Sequence, residues 1–346
     1  MKRIYVRDLR EGLKIDDVFA VASKSVANAR NGSRYLRLKL TDRTGTIDAV
    51  KWNASDAEVM SFGENELMHV RGTAGTYNGE LQLTVDSLQK PNYPVDPADF
   101  LRVSERDPDE MLADLRLILG SVTSPDLSRL VWSFFDDPEF ASKFRQAPAA
   151  KSVHHAWVGG LLEHTLNVVR SCAALADLYP QADRDLLLTA AALHDIGKID
   201  EYACSVTIRF TDAGHLIGHV VGGTMMVKEA AESIEGFNPL LSLALQHAVL
   251  AHHGTKEFGS PKRPKSLEAY LLHVADDLDA KVEMFRKAIS DSDENGEDGL
   301  FTKRHLYLDR PIFKGLNRQP ETADSRDESD LDLLAVDPDW DPFAEE

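Results

Sequence analysis

The stretch LLLTAAALHDIGK, residues 186–198, decides how the rest of the chain is read. Its first eight residues are apolar apart from Thr189, and the run reads as an apolar helix. It then sets His194 and Asp195 side by side at the helix end, with His194 aligned at helical spacing with Leu187 and Ala191. Burying two adjacent polar side chains costs on the order of several kcal/mol unless each finds a strong partner. A divalent cation would serve both. A lone histidine on such a face is more often a satisfied core residue, so the reading turns on what lies around it.

Ten of the twelve histidines fall between positions 154 and 273. His164 shares a helical face with Leu161, Val168 and Cys172; His219 begins another amphipathic run; and the pair His252-His253 ends a third, with Leu241, Leu245 and Ala248 aligned below His252. Asp276 lies within SLEAYLLHVADDLDAK, residues 266–281, between the apolar helical neighbours Leu272 and Ala280. Asp277 and Asp279 stand beside it, and spacing alone does not choose among the three, although Asp277 can form an i,i+4 pair with Lys281. Imidazoles and carboxylates without a thiolate favour manganese, iron(II), magnesium or zinc. Lys198 follows the His-Asp pair after a glycine. It reads either as an exposed lysine or as a point-charge clamp on a phosphate oxygen. His154 and His155, in KSVHHAWVGGLLEH, are candidates for meeting substrate, whereas His215, His247 and His273 read as structural.

Upstream the periodicity changes. VFAVASKSVA, RYLRLKLTD, GTIDAVKW, ELMHVRGTAG and ELQLTVDSL alternate as strands between residues 18 and 88, with turns at Asn31-Gly32, Thr44-Gly45 and Asn78-Gly79. Five short strands predict a small barrel. KPNYPVDPADF then acts as a linker, and helical spacing takes over at 108–120, 124–144, 161–178, 184–197, 219–235, 238–253 and 266–289. Asn238-Pro239 reads as a helix start, Gly197 and Gly254 as stops. The expected class is therefore α+β: a barrel over 1–90, a linker over 91–107, an all-helical bundle over 108–310 and an acidic, disordered tail over 311–346.

The net charge of -18 argues against a polyanionic partner, but its distribution does not. Residues 1–90 hold fourteen Lys and Arg against twelve Asp and Glu, whereas the chain from Glu321 onward holds eleven acids and one base. A nucleic acid can approach the barrel, where Arg34, Arg37, Lys39 and Lys51 lie near Tyr35, Trp52 and Tyr77, the mixture of cations and stacking faces that single strands require. Tyr35 and Trp52 have barrel core as their plainer reading. Cys172 and Cys204 read as reduced thiols, and no run is apolar enough for a signal peptide or membrane span, so a cytoplasmic location is expected.

The order His164, His194-Asp195, His219, His252-His253, Asp276 resembles the HD superfamily of metal-dependent phosphohydrolases. That resemblance implies one ion on His164, His194 and Asp276, a second on His219, His252 and His253, and Asp195 bridging them. TDRTGTIDAVKW, residues 41–52, resembles the nucleic-acid-binding OB-fold. With HHAWVGGLLEHT, GHLIGH and ADDLDAK added, the whole is similar to the YhaM-like family of 3′-to-5′ exoribonucleases. The implied substrate is single-stranded RNA, with single-stranded DNA as a second candidate, nucleoside 5′-monophosphates as products and manganese as the usual cation. A homo-oligomer is compatible with the sequence. The alternatives are an HD phosphodiesterase for a small or cyclic nucleotide, with a regulatory barrel, and a nucleic-acid-binding scaffold without activity.

Overall fold

The computed structural model describes residues 2–28, 33–96, 99–151, 155–204, 207–256, 259–294, 296 and 298–316. The Asn31-Gly32 turn, His154 and the tail from residue 317 lie outside the described residues. Compactness divides the chain into residues 1–283 and a second unit that begins at Met284. The division does not fall at the Pro-containing stretch, because Phe100 and Val95 of that stretch pack on Val18 and Ala20.

Strands β1 (Lys14–Asn28), β2 (Arg34–Asp42), β3 (Gly45–Lys51), β4 (Leu67–Tyr77) and β5 (Glu80–Gln89) close a barrel in the order β1-β2-β3-β5-β4. β1 serves two partners, β4 along Lys14–Ala20 and β2 along Ala20–Asn28, and it bends between them at a bulge near Val21 and Ser23. A second bulge at Arg71/Gly72 presses β4 onto β5. A Cβ on Gly72 would stand 2.3 Å from the Thr84 carbonyl oxygen, so only glycine fits there. Asn78 and Gly79, both at positive φ, form the tight β4-β5 hairpin turn that their sequence predicts. Between β3 and β4 lies a helix that the strand pattern conceals, α1 (Asp56–Ser61), opened by a reciprocal Ser55/Glu58 cap. Phe19, Leu36, Leu38, Leu40, Met68, Val70 and Leu83 fill the barrel.

Among the described residues ten further helices follow: α2 (Pro108–Leu119), α3 (Pro125–Phe135), α4 (Pro138–Gln146), α5 (Gly160–Leu178), α6 (Arg184–Leu193), α7 (Lys198–Glu201), α8 (Asp212–Leu216), α9 (His219–Ser233), α10 (Pro239–Ala251) and α11 (Leu267–Glu294). A two-stranded ribbon, β6 (Tyr202–Cys204) with β7 (Ile208–Phe210), interrupts them. The single helix expected over 124–144 is two, because Pro138 cannot donate and Asp137 caps the new start by accepting from Glu139 N–H at 2.8 Å. Asn238 and Pro239 start α10 as expected. Gly197 is a different case from a left-handed stop: its φ is ordinary, and a Cβ there would lie 2.3 Å from the His219 carbonyl oxygen. Glycine is required because α7 and α9 touch, and that approach builds the site. Leu161, Leu166, Val169, Leu187, Leu188 and Leu193 are fully buried in the bundle core. The second unit has its own small core of Ala288, Leu308 and Ile312.

Candidate metal centre

Five helices bring the histidines and acids together. His164 comes from α5; His194 and Asp195 from the turn after α6; His219 from the first position of α9; His252 and His253 from the turn after α10; and Asp276 from α11. His164, His194, Asp195 and His252 are buried almost completely, while His219, His253 and Asp276 keep partial exposure, so the cluster opens on their side.

Asp195 sits between two groups. Its Oδ2 lies 3.4 Å from His164 Nε2 and 3.3 Å from His194 Nε2, and its Oδ1 lies 3.6 Å from both His219 Nε2 and His252 Nε2. His164 Nε2 is also 3.1 Å from Asp276 Oδ1 and 3.3 Å from His194 Nε2. In the other group His219 Nε2 lies 3.4 Å from His253 Nε2. Two triads emerge, His164/His194/Asp276 and His219/His252/His253, each with donor atoms close enough to share one ion.

Tautomers follow from what the far side of each ring meets. The backbone carbonyl of Ala191 accepts from His194 Nδ1 at 2.8 Å, and that of Val249 accepts from His252 Nδ1 at 2.6 Å. The proton is therefore on Nδ1, and a lone pair on Nε2 faces the cluster. Asp195 Oδ1 and His252 Nε2 are buried without a hydrogen-bond partner among the described residues. A buried carboxylate oxygen facing imidazole lone pairs is untenable unless a cation lies between them, so the donor set fits divalent metal. The electrostatics of His252, His253 and Asp195 point the same way. Burial, reinforced by the neighbouring His253 and His194, holds His252 well below the ordinary imidazole range, and burial lowers His253 as well, which keeps both in the ligating form. Burial would raise the Asp195 carboxyl, but Lys198 and His194 outweigh it and hold the group ionised. Against the burial penalty, the Asp195, Asp276 and Asp279 carboxylates raise His164.

The three aspartates of α11 separate by face. Asp276 enters the cluster; Asp277 pairs on the surface with Lys281 at 2.7 Å; and Asp279 stands behind His164, its Oδ2 accepting from His164 Nδ1 at 2.6 Å. Lys198 is buried, not solvent-facing, with Nζ 2.6 Å from Asp195 Oδ2. His155 is 2% exposed and directs Nε2 to Asp279 at 2.9 Å. Glu201 is the residue that sequence reading missed, and Asp279 stood there only as an alternative to Asp276. Glu201 Oε2 accepts from His219 Nδ1 at 2.9 Å, and its spacing from the His-Asp pair carries no ligand signal.

On the barrel, alternation along β2 points Leu36, Leu38 and Leu40 inward and Arg37 and Lys39 outward. Arg37 and Lys39 make no ion pair among the described residues, whereas Arg34 is paired with Asp56, and Lys51 lies 3.6 Å from Glu58. Tyr35 also faces outward but is only 9% exposed, because the Trp52 ring covers it at a centroid distance of 4.8 Å. Stacking surface is thus left to Trp52, 47% exposed, and Tyr77, 63% exposed.

Comparison with known proteins matches residues 161–281 to the HD domain and residues 20–91 to an OB-fold nucleic acid binding domain. The chain is 32% identical over 304 residues to the 3′-5′ exoribonuclease YhaM of Bacillus velezensis, covering 87% of this chain and 95% of that protein. It is 33% identical over 310 residues to the protein of that name from Halalkalibacterium halodurans, covering 87% and 93%. The Bacillus subtilis protein is 32% identical over 306 residues, covering 87% and 95%.

Proposed function

The chain belongs to the YhaM family of 3′-5′ exoribonucleases, and from that premise we propose that it trims single-stranded RNA stepwise from the 3′ end by metal-dependent hydrolysis. The observation that carries the chemistry is Asp195: one buried carboxylate, with an oxygen toward each of two imidazole-rich triads.

In this reading His164, His194 and Asp276 hold one ion, His219, His252 and His253 the other, and Asp195 binds both. Manganese is the proposed cation. What the ions supply when bound is a nucleophile from water at neutral pH and neutralisation of charge on the phosphoryl oxygens. Lys198 sets a cation beside Asp195, where it can meet a phosphate oxygen that the ions would hold. Attack at phosphorus with expulsion of the upstream 3′ oxygen leaves the phosphate on the departing nucleotide's 5′ oxygen, so the product is a nucleoside 5′-monophosphate. The barrel, residues 1–90, binds the strand upstream through Arg37 and Lys39 on phosphates and Trp52 and Tyr77 on bases. Single-stranded DNA fits the same contacts. Self-association is assigned to the exposed stripe Tyr270, Val274, Leu278 and Val282 on α11, and sedimentation as a monomer at micromolar concentration would remove that assignment. No helix among the described residues is long and apolar enough to cross a membrane, and we assign the enzyme to the cytoplasm.

Turnover of an oligoribonucleotide, a cyclic dinucleotide and free nucleotides by metal-stripped protein, with and without added Mn2+, tests this reading. Mn2+-dependent loss of the oligoribonucleotide is expected. Preferential turnover of the cyclic dinucleotide would transfer the site to small-nucleotide chemistry.

A further inference from the structure

We infer that Asp279 and Glu201 are the positioning carboxylates of this centre, one behind each ion, and that they determine whether its two halves load. The inference rests on the two-ion reading above. Asp279 is gripped from three sides: Oδ2 accepts from His164 Nδ1 at 2.6 Å and from His155 Nε2 at 2.9 Å, and Oδ1 accepts from Asn167 Nδ2 at 3.0 Å. Asn167 is fixed in turn, its Oδ1 accepting from an Arg106 guanidinium N–H at 3.2 Å. His155 reaches this position with φ of 47°, a left-handed conformation that a β-carbon-bearing residue keeps only where surrounding contacts hold it. Glu201 holds His219 twice, through Oε2 to Nδ1 at 2.9 Å and through Oε1 to the backbone N–H at 3.0 Å.

The two halves follow one plan. In each triad one imidazole leans on a carboxylate, His164 on Asp279 and His219 on Glu201, and one leans on a main-chain carbonyl, His194 on Ala191 and His252 on Val249. A carboxylate can only accept, so it fixes the proton on Nδ1 and turns the Nε2 lone pair toward the ion, and its charge makes the ring a stronger donor. The main-chain carbonyls are set by helix geometry, whereas the carboxylates come from other elements. Asp279 therefore holds the one imidazole of its triad that helix geometry does not fix, and Glu201 holds one of two in the other, where His253 Nδ1 has no hydrogen-bond partner among the described residues. His155, His164 and Asp279 could themselves be taken for a third ion site, since their donor atoms also lie close together. Their hydrogen bonds already use the atoms an ion would need.

Calorimetric titration of Mn2+ into metal-stripped full-length protein, with electron paramagnetic resonance of the loaded samples, separates the possibilities. The parent should take up two ions that are magnetically coupled. Asp279→Ala should weaken one of the two by about 10–100-fold and leave an uncoupled single-ion signal at limiting Mn2+, and Glu201→Gln should do the same to the other. Together the two changes should weaken both. Excess Mn2+ should restore kcat in each single variant, with KM for RNA unchanged throughout. If Asp279→Ala does not fold, Asp279→Asn and Asn167→Ala decide, with smaller shifts in the same direction. Parent affinities at both sites in these variants would overturn the inference, as would a parent stoichiometry of three that falls to two in Asp279→Ala. A parent that binds no Mn2+ would instead refute the two-ion reading beneath it.

Discussion

With Oδ2 near His164 and His194 and Oδ1 near His219 and His252, Asp195 joins the two halves of the cluster, and its loss should separate them. Asp195→Ala is expected to abolish hydrolysis, read as loss of 5′-monophosphate release at saturating Mn2+. Full turnover by that variant would refute the shared carboxylate. Lys198→Met should lower kcat by roughly 100-fold while Mn2+ binding persists, if the ammonium meets phosphate as assigned. Asp277→Ala, by contrast, removes only a surface pair with Lys281 and should stay within about twofold of the parent, since exposed pairs contribute roughly 0–1 kcal/mol. The histidines were legible because polar groups on apolar helix faces need a reason. The choice between Asp276 and Asp277 was not, because adjacent positions differ by one step around the helix, and only packing reveals which face turns inward. Asp279 was visible only as a neighbour of Asp276 and Glu201 left no sequence signal at all, since the histidines they hold lie on other helices.

At the scale of elements, strand alternation located all five barrel strands, and the paired positive-φ residues Asn78 and Gly79 made one hairpin readable in advance. Periodicity alone does not show where a local cap overrides it: Asp137 with Pro138 splits a helix in two, and the Ser55/Glu58 cap opens α1 between two strands. Gly197 shows a different limit. Its role is contact between α7 and α9, which no helix-stop rule anticipates. A methyl group there would be driven into the His219 and Gly223 backbones, so Gly197→Ala should lower stability by about 1–3 kcal/mol, read as a reduced Tm of the metal-free protein. An unchanged Tm would mean that the two helices part freely. On β2, Arg37→Ala with Lys39→Ala should raise KM for long RNA and flatten its salt dependence by about 1.4 in log-log slope, two phosphates at ~0.7 each. Turnover of a short chromogenic diester should not change. A salt slope equal to the parent's would move the RNA path off this face.

For the whole molecule, the charge of the chain as a sum is misleading, because the barrel that meets RNA is close to neutral while the excess acid lies downstream. Nor is the linker a free tether. Phe100 packs into the barrel wall, the Asp99 carbonyl accepts from Arg43 N–H at 3.0 Å, and Tyr5 donates to the Asp99 carboxylate at 2.6 Å. Substitution of single residues therefore tests the barrel more cleanly than its removal would. A barrel that grips several upstream nucleotides while a separate site cuts predicts stepwise trimming of one end, and a duplexed 3′ end should slow it because threading then costs unpairing. The most direct measurement uses a 5′-labelled single-stranded oligoribonucleotide with Mn2+, sampled over time and resolved by length, with the released products identified by mass. A ladder descending one nucleotide at a time, with nucleoside 5′-monophosphates released, is the predicted result. Immediate release of the labelled 5′ nucleotide, or early internal fragments with cyclic phosphate ends, would contradict the account.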